Sequence, residues 1–486
     1  VTWTGRLAGP PAAAVVYFSI PAATLPHEGR ATAALGLLMA IWWITSAMPL
    51  WITALLPVAL FPLAGVGDIA EATSPYANDI IFLFGGGFML AQAVQRWGLH
   101  RRIALMTVLT VGTSPRRLIG GFMLAAGVLS MWVSNTATVV MMLPIGLSVL
   151  TLLHRDNDAA PHLEASRADA ELLTQRRFAT SLMLAIAYAA SIGSVATIIG
   201  TPPNGILAGW MADQGTPIGF GRWMLLGVPL AATFGTIAWL LLTRGVSRTP
   251  IVGGRTIIER SLRQMGTPSR GERLTMAVFV AVAVGWMIRP LLEGLPGLAG
   301  LTDPSIAIGG AIMLFVLPVD WRKGVMVLDA EHARKIPWDI LVLFGGGLSL
   351  AAAIERNGVA AFIGTSVGTL DHLSVIALIA VVATIVVLLT EVSSNTATAA
   401  VLIPILAATA AGLGLDPLVL AVPATLVATF AFMLPVATPP NAIVFGSGLV
   451  TVGQMVRAGA ILNVVGVGLS TAAMLWLAPR VFGFEL

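Results

Sequence analysis

The chain has no cysteine, which excludes disulfides and thiolate chemistry and leaves its redox compartment undetermined. Charge is scarce. Only 10% of the 486 residues are Asp, Glu, Lys or Arg, against about 25% in a typical soluble protein. The histidines, His27, His100, His154, His162, His332 and His372, all fall at the ends of apolar stretches or in loops. That placement argues against a proton relay or an intramembrane zinc site. No Asp pair or Ser–His pair sits within an apolar stretch, so an intramembrane enzyme lacks its chemistry. The longest polar segments, about 153–177 and 244–273, are linker-sized, which leaves no room for the output domain of a sensor.

What is present is apolar length. Hydrophobic residues make up 57% of the chain and the mean hydropathy is +0.90. Many stretches approach the ~20 residues that cross a bilayer as a helix, and none shows the short alternating pattern of a porin-type barrel. The fold class is therefore all-α and polytopic. Helices are expected at about 10–25 (read as a retained span, not a signal peptide), 31–47, 49–64, 80–97, 222–243, 273–292, 299–319, 337–355 and 455–480. Two apolar blocks, 117–152 and 373–411, and two interrupted helices, 178–212 and 416–446, complete the set. The sequence pI near 10.1 reflects arginines gathered in a few loops. It reports topology rather than a nucleic-acid partner.

The organising feature is a repeat. Ser134-Asn135-Thr136-Ala137-Thr138 returns unchanged as Ser394-Asn395-Thr396-Ala397-Thr398, an offset of 260 residues (394 − 134). Asp79, Ile80 and Leu83-Phe84-Gly85-Gly86-Gly87 recur at the same offset as Asp339, Ile340 and Leu343-Phe344-Gly345-Gly346-Gly347, and Pro144-Ile145 as Pro404-Ile405. Thr201-Pro202-Pro203-Asn204 returns as Thr438-Pro439-Pro440-Asn441, 237 residues on (438 − 201). Each half thus carries three glycines, then Ser-Asn-Thr, then Thr-Pro-Pro-Asn. Singly, the Ser-Asn-Thr and Pro-Pro elements would read as helix packing and a kink. The ordered duplication points to function, while the glycines read as packing in either case.

Ser-Asn-Thr lies in the middle of each apolar block. One helix of that length would run roughly 55 Å at 1.5 Å per residue, well beyond a ~30 Å hydrocarbon core. A re-entrant hairpin with the motif at its tip fits better. The flanking loops agree. Arg101, Arg102, Arg116 and Arg117 precede the first block, and Arg155, Arg167, Arg176 and Arg177 follow it, so both flanks belong on the cytoplasmic side. The loop with Arg244, Arg248, Arg255, Arg260, Arg263, Arg270 and Arg273 and the loop with Arg322, Lys323, Arg334 and Lys335 fall on that side too. The expected topology is eleven transmembrane helices and two re-entrant hairpins, with the N-terminus cytoplasmic and the C-terminus outside. The halves are then inverted repeats, as in many secondary transporters.

The motifs offer neutral hydrogen-bonding groups. Hydroxyls and amides both donate and accept. Broken helices expose N–H groups at one end and carbonyls at the other, which favour anions and cations respectively. Pro202-Pro203 and Pro439-Pro440 break the helical ladder and leave carbonyls free at Gly200 and Ala437. Four such sites suit a small anion bound together with alkali cations. Glu391, three residues before Ser394, reads as a structural residue bonded to a neighbouring helix.

At these residues the chain resembles the divalent anion/sodium symporter family, and the resemblance covers nearly its whole length. It implies a bacterial inner-membrane homodimer that carries C4-dicarboxylates such as succinate, malate or fumarate with Na⁺ as coupling ion and no organic cofactor. It implies an elevator mechanism too, with Ser-Asn-Thr at hairpin tips and Pro-Pro at unwound helices. By the same resemblance Asn135, Thr136, Thr201, Pro202, Asn395, Thr396, Thr438 and Pro439 would line the substrate site. One sodium site would use Ser130, Ser134, Asn135 and the Gly200 carbonyl, and the other Thr390, Ser394, Asn395 and the Ala437 carbonyl. A hydroxyl four residues before each Ser-Asn-Thr, on Ser130 and Thr390, matches symporters rather than exchangers. The lack of a soluble insert sets the chain apart from larger sulfate-carrying relatives, and citrate or sulfate transport and dicarboxylate exchange stay as alternatives. The expected division is scaffold helices in 1–116, a transport region in 117–221, scaffold again in 222–355, and a second transport region with the last helix in 356–486.

Overall fold

A computed structural model describes residues 2–112, 114–158, 165–247, 254–366 and 374–485. His162, His372 and Arg248 lie outside them. The described chain is predominantly helical, with one two-stranded ribbon of Pro318–Asp320 and Val325–Met326 in the loop rich in basic residues. Among the described residues, six helices are long and apolar enough to cross a membrane: Ile69–Arg96, Phe220–Leu242, Arg270–Leu292, Trp338–Arg356, Asn395–Gly412 and Val452–Trp476. Shorter apolar helices lie between them.

Both apolar blocks are helical hairpins. Helix Pro115–Ser130 ends five residues before Asn135, and Asn135–Asp158 runs back against it. Helix Val375–Thr390 and helix Asn395–Gly412 repeat the arrangement. The arms start at the same positions of the repeat, 260 residues apart (375 − 115 and 395 − 135). Both interrupted helices are also present. Ala165–Ser194 stops and Pro202–Asp213 resumes; Leu418–Ala428 stops and Pro439–Gly446 resumes. In each, the proline pair occupies the first two positions after the break, where a missing N–H costs nothing because that donor would be unpaired in any helix.

The repeat is longer than its motifs. Helix Leu99–Val111 follows the first glycine helix and Val359–Ser366 follows the second, where the sequence pattern predicts loops. Gly98 and Gly358 make the turns into them with φ of +69° and +74°, a left-handed conformation that favours glycine. The expected span at 49–64 is instead two short helices, Leu50–Thr53 and Leu56–Leu60. Pro57 is the second residue of the second, and its missing N–H denies the first a further helical bond.

Glycine sets the closest approaches. A Cβ on Gly193 would stand 2.2 Å from the Gly127 carbonyl oxygen, so the arm Pro115–Ser130 lies against Ala165–Ser194 almost backbone to backbone. The central glycines of the two triplets act alike: a Cβ on Gly86 would meet the Ala307 backbone at 2.6 Å, and one on Gly346 the Ala54 carbonyl at 2.2 Å. Phe84 and Phe344, repeat equivalents, meet edge to face with centroids 4.8 Å apart, which places these two glycine helices side by side across the repeat. Gly193→Val should therefore lower the melting temperature of the purified protein in detergent, at an overpacking cost of about 1–3 kcal/mol or more. Gly309→Ala, within a helix and where a Cβ meets nothing within 4 Å, should not lower it; equal melting of the two variants would refute the close-contact reading.

Candidate functional site

All four polar motifs open helices. Asn135, Pro202, Asn395 and Pro439 are each the first residue of one, so four helix N-termini are assigned to the repeated motifs, the two that begin with a proline pair offering no N–H at their first two positions. Ser134 and Ser394 cap theirs, accepting from the N–H of Ala137 at 3.3 Å and of Ala397 at 3.4 Å. Thr438 accepts from the N–H of Asn441 at 3.3 Å. Thr201 does not cap its own helix; its hydroxyl lies 3.4 Å from that of Thr429 and joins one break to the other.

The packing interlocks the halves. Pro202–Asp213, after the first break, lies on Asn395–Gly412 of the second hairpin, and Pro439–Gly446, after the second break, lies on Asn135–Asp158 of the first. Within each half the tip also meets its own break. The Asn135 amide nitrogen donates to the Ser194 hydroxyl at 3.3 Å, and the Thr197 hydroxyl donates to the Met131 carbonyl at 2.5 Å. The Thr390 hydroxyl lies 2.6 Å from the Asn395 side-chain oxygen and 2.8 Å from the Ala428 carbonyl.

Exposure divides the sequence-derived residues. Ser130, Gly200, Thr201, Thr390, Ala437 and Thr438 are buried; Asn135, Pro202, Ser394, Asn395 and Thr396 are half-buried; Ser134, Thr136 and Pro439 are exposed. The Ser130 hydroxyl donates to the Gly127 carbonyl at 2.9 Å. Gly200 needs its glycine, since a Cβ there would stand 2.2 Å from the Ser194 carbonyl oxygen. The Asn135 side-chain oxygen is buried and accepts no hydrogen bond. An orphaned acceptor of this kind costs about 1–3 kcal/mol, and a small cation would satisfy it. Hydroxyl and amide oxygens are suitable ligands for such a hard cation.

Two site residues escaped the sequence reading although they end the repeated tetrapeptide. Asn204 and Asn441 are fully buried. The Asn204 amide nitrogen donates to the carbonyls of Thr197 at 2.8 Å and Val195 at 3.4 Å. That of Asn441 donates to the carbonyls of Ala431 and Leu434, both at 3.0 Å. Each asparagine staples the unwound backbone preceding its own helix. Glu391 is also buried, and it is bonded to the second break as well as to a neighbouring helix. Its carboxylate accepts from the N–H groups of Phe432, Met433 and Leu434 at 2.8, 2.9 and 3.0 Å, and from the Asn463 amide at 2.7 Å.

Comparison with known proteins adds a lineage. A family model described as the sodium:sulfate symporter transmembrane region matches residues 2–482. The sodium-dependent dicarboxylate transporter SdcS of Staphylococcus aureus strain bovine RF122 / ET3-1 is 39% identical over 468 residues, covering 95% of this chain and 88% of the relative. SdcS of strain MSSA476 gives the same identity and coverage. Among solved structures, the Alcanivorax borkumensis YdaH transporter aligns with a TM-score of 0.53 at 14% identity, over 93% of this chain and 98% of that one. Neisseria gonorrhoeae MtrF, from a class of antimetabolite efflux pumps, aligns with a TM-score of 0.55 at 12% identity, over 93% of this chain and 95% of that one. At those identities the two structures speak to the fold alone.

Replacing either staple should loosen its break. Asn204→Leu and Asn441→Leu each strand two buried carbonyls, so each should cost about 1–3 kcal/mol of stability, read as a lower melting temperature in detergent. Wild-type melting in both would show that the breaks hold without them.

Proposed function

The chain belongs to the sodium:sulfate symporter family, and from that premise we propose that it is a secondary transporter importing C4-dicarboxylates such as succinate, malate or fumarate together with Na⁺. The observation that carries this reading is the fourfold construction of the site, in which every repeated polar motif opens a helix. Four helix N-termini with hydroxyl and amide side chains suit a dianion. None of the four motifs contains an Arg or Lys, so positive charge has to arrive with the substrate, and sodium supplies it.

In this reading Asn135, Thr136, Thr201 and Pro202, with Asn395, Thr396, Thr438 and Pro439, line the carboxylate site. Ser130, Ser134, Asn135 and the Gly200 carbonyl hold one sodium ion; Thr390, Ser394, Asn395 and the Ala437 carbonyl hold the other. The orphaned oxygen of Asn135 supports the first. At the second, the Asn395 oxygen is within reach of the Thr390 hydroxyl, and that hydroxyl has an alternative acceptor in the Ala428 carbonyl. A turn of the hydroxyl frees the amide oxygen for a cation. Each asparagine then serves both ion and anion, which ties the two binding events together.

The wider proposal keeps eleven spans and two re-entrant hairpins, with the N-terminus cytoplasmic and the C-terminus outside. The exposed arginines 101, 117, 176, 177, 244, 255, 260, 263, 270 and 273 support that orientation. The transport regions 117–221 and 356–486 move against the scaffold regions 1–116 and 222–355 in an elevator motion, within a homodimer in the bacterial inner membrane. Cross-packing of each resumed helix on the opposite hairpin supports treating the two hairpins and two breaks as one body.

Succinate uptake into proteoliposomes should require an inward Na⁺ gradient. Equal uptake without it would remove the symport reading, counterflow alone would indicate exchange, and preference for citrate or sulfate would change the substrate. Asn135→Ala and Asn395→Ala should each reduce uptake to background while the protein stays monodisperse in detergent. Wild-type rates in either variant would sink the residue assignment.

A further inference from the structure

The two breaks are not equivalent. The first comprises residues 195–201 and the second residues 429–438, so the second is three residues longer (ten against seven). Extra unwound residues bring extra unpaired backbone groups, which cannot be left bare in a buried setting. The carboxylate of Glu391 takes the N–H groups of three consecutive residues there, Phe432, Met433 and Leu434. At the repeat-equivalent position the first half has Met131 (391 − 260), which offers only its backbone carbonyl, to Thr197. The acidic side chain and the longer break therefore occur together, in one half only.

The carboxylate also joins three elements. It sits at the tip of the second hairpin, directly after Thr390. It grips the second break, and it accepts from Asn463 on helix Val452–Trp476. Leu434 is held from both sides, its N–H by Glu391 and its carbonyl by Asn441 and by the N–H of Ala437. Through Leu434 the chain of bonds runs from Glu391 to Ala437, whose carbonyl belongs to the second sodium site in the reading above. Tyr188, from the other half, donates to the Phe432 carbonyl at 2.8 Å and fixes the same segment from behind.

We propose that Glu391, supported by Asn463, is a positioning residue that holds the longer second break so that the Ala437 carbonyl and the Thr390–Asn395 pair are presented together to the second sodium ion. The proposal rests on the symport reading for its ligand. It assigns Glu391 no contact with sodium or substrate, since its recorded bonds all go to N–H groups of the protein. It also makes the two half-sites unequal: loss of this carboxylate affects the second while leaving the hydrogen bonds around Asn135 as they are.

The absence of native cysteine allows a direct test. Val436, in the second break, is 83% exposed and can carry a single reporter as Val436→Cys. Thiol-labelling rate and sodium half-saturation of succinate uptake are measured in that background and with Glu391→Gln added. Glutamine replaces one acceptor oxygen by an N–H₂ that opposes the backbone donors. The expected result is a sodium half-saturation raised roughly tenfold, the effect of losing one charge-assisted bond. Labelling at 436 should also be faster, and no longer slowed by sodium concentrations that protect the parent. Unchanged half-saturation and unchanged labelling would overturn the proposal. If Glu391→Gln does not yield folded protein, Asn463→Ala decides in its place, a smaller shift in the same direction supporting the proposal and wild-type values refuting it. If the parent shows no sodium dependence, the symport reading fails, and the ligand-free labelling rate still decides the positioning role: faster in the variant supports it, equal overturns it.

Discussion

The constraint on which the structure depends is that a broken helix inside an apolar body must find partners for its freed backbone groups without water. Lipid offers none, and each bare N–H or C=O costs several kcal/mol. Two buried asparagines, one at the end of each Thr-Pro-Pro-Asn, direct both amide hydrogens at carbonyls of the preceding break. Proline meets the same constraint from the opposite side, by removing donors at the first two helical positions. Among the described residues, the buried side-chain oxygens of Asn135, Asn204 and Asn441 in the motifs stay without a partner. The polar groups available to a ligand are those left over after the backbone has been satisfied.

The interlocking of the halves follows from the same economy of contacts. Apolar side chains gain little from meeting each other rather than lipid, so helix association relies on close packing and on polar bonds. The glycine triplets supply the first by letting backbones approach. Hydroxyl and amide pairs such as Thr201–Thr429 and Tyr188–Phe432 supply the second, and both cross from one half to the other. Each resumed helix lies on the opposite hairpin, so a displacement of one tip is felt by the other half's break. Two short motifs repeated at a distance are packed together in this way.

Much of this was legible in the sequence because duplication filters out chance. The hairpins, the breaks and the order of the motifs all follow from matches at fixed offsets combined with the length limit that a bilayer sets. Helices Leu99–Val111 and Val359–Ser366 were not legible, being short and, in the first, opened by basic residues that read as loop. The split at Leu50–Leu60 was missed because its apolar run is unbroken and only Pro57 marks the stop. Asn204 and Asn441 were in view as letters of a motif, yet their role depends on which carbonyls lie within reach, and that is a property of the folded break. Glu391 was read as bonded to a neighbouring helix. Asn463 bears this out, and the three N–H groups of the break are what a linear reading could not supply.

In the proposed site, coupling between ions and anion needs no moving part beyond the side chains of Asn135 and Asn395. A ligand shared by two binding events links their free energies, and the linkage is reciprocal: whatever sodium adds to anion affinity, the anion adds to sodium affinity. An asparagine amide suits this role because its acceptor and its donors sit on separate atoms of one rigid plane. A cation on the oxygen fixes the orientation of the nitrogen, and an anion on the nitrogen polarises the oxygen. An arginine or lysine in the same place would bind the anion alone and make the cation unnecessary. In the proposed site the lack of basic side chains in the motifs is therefore a condition for coupling, and neutral tips make the anion's affinity depend on bound sodium.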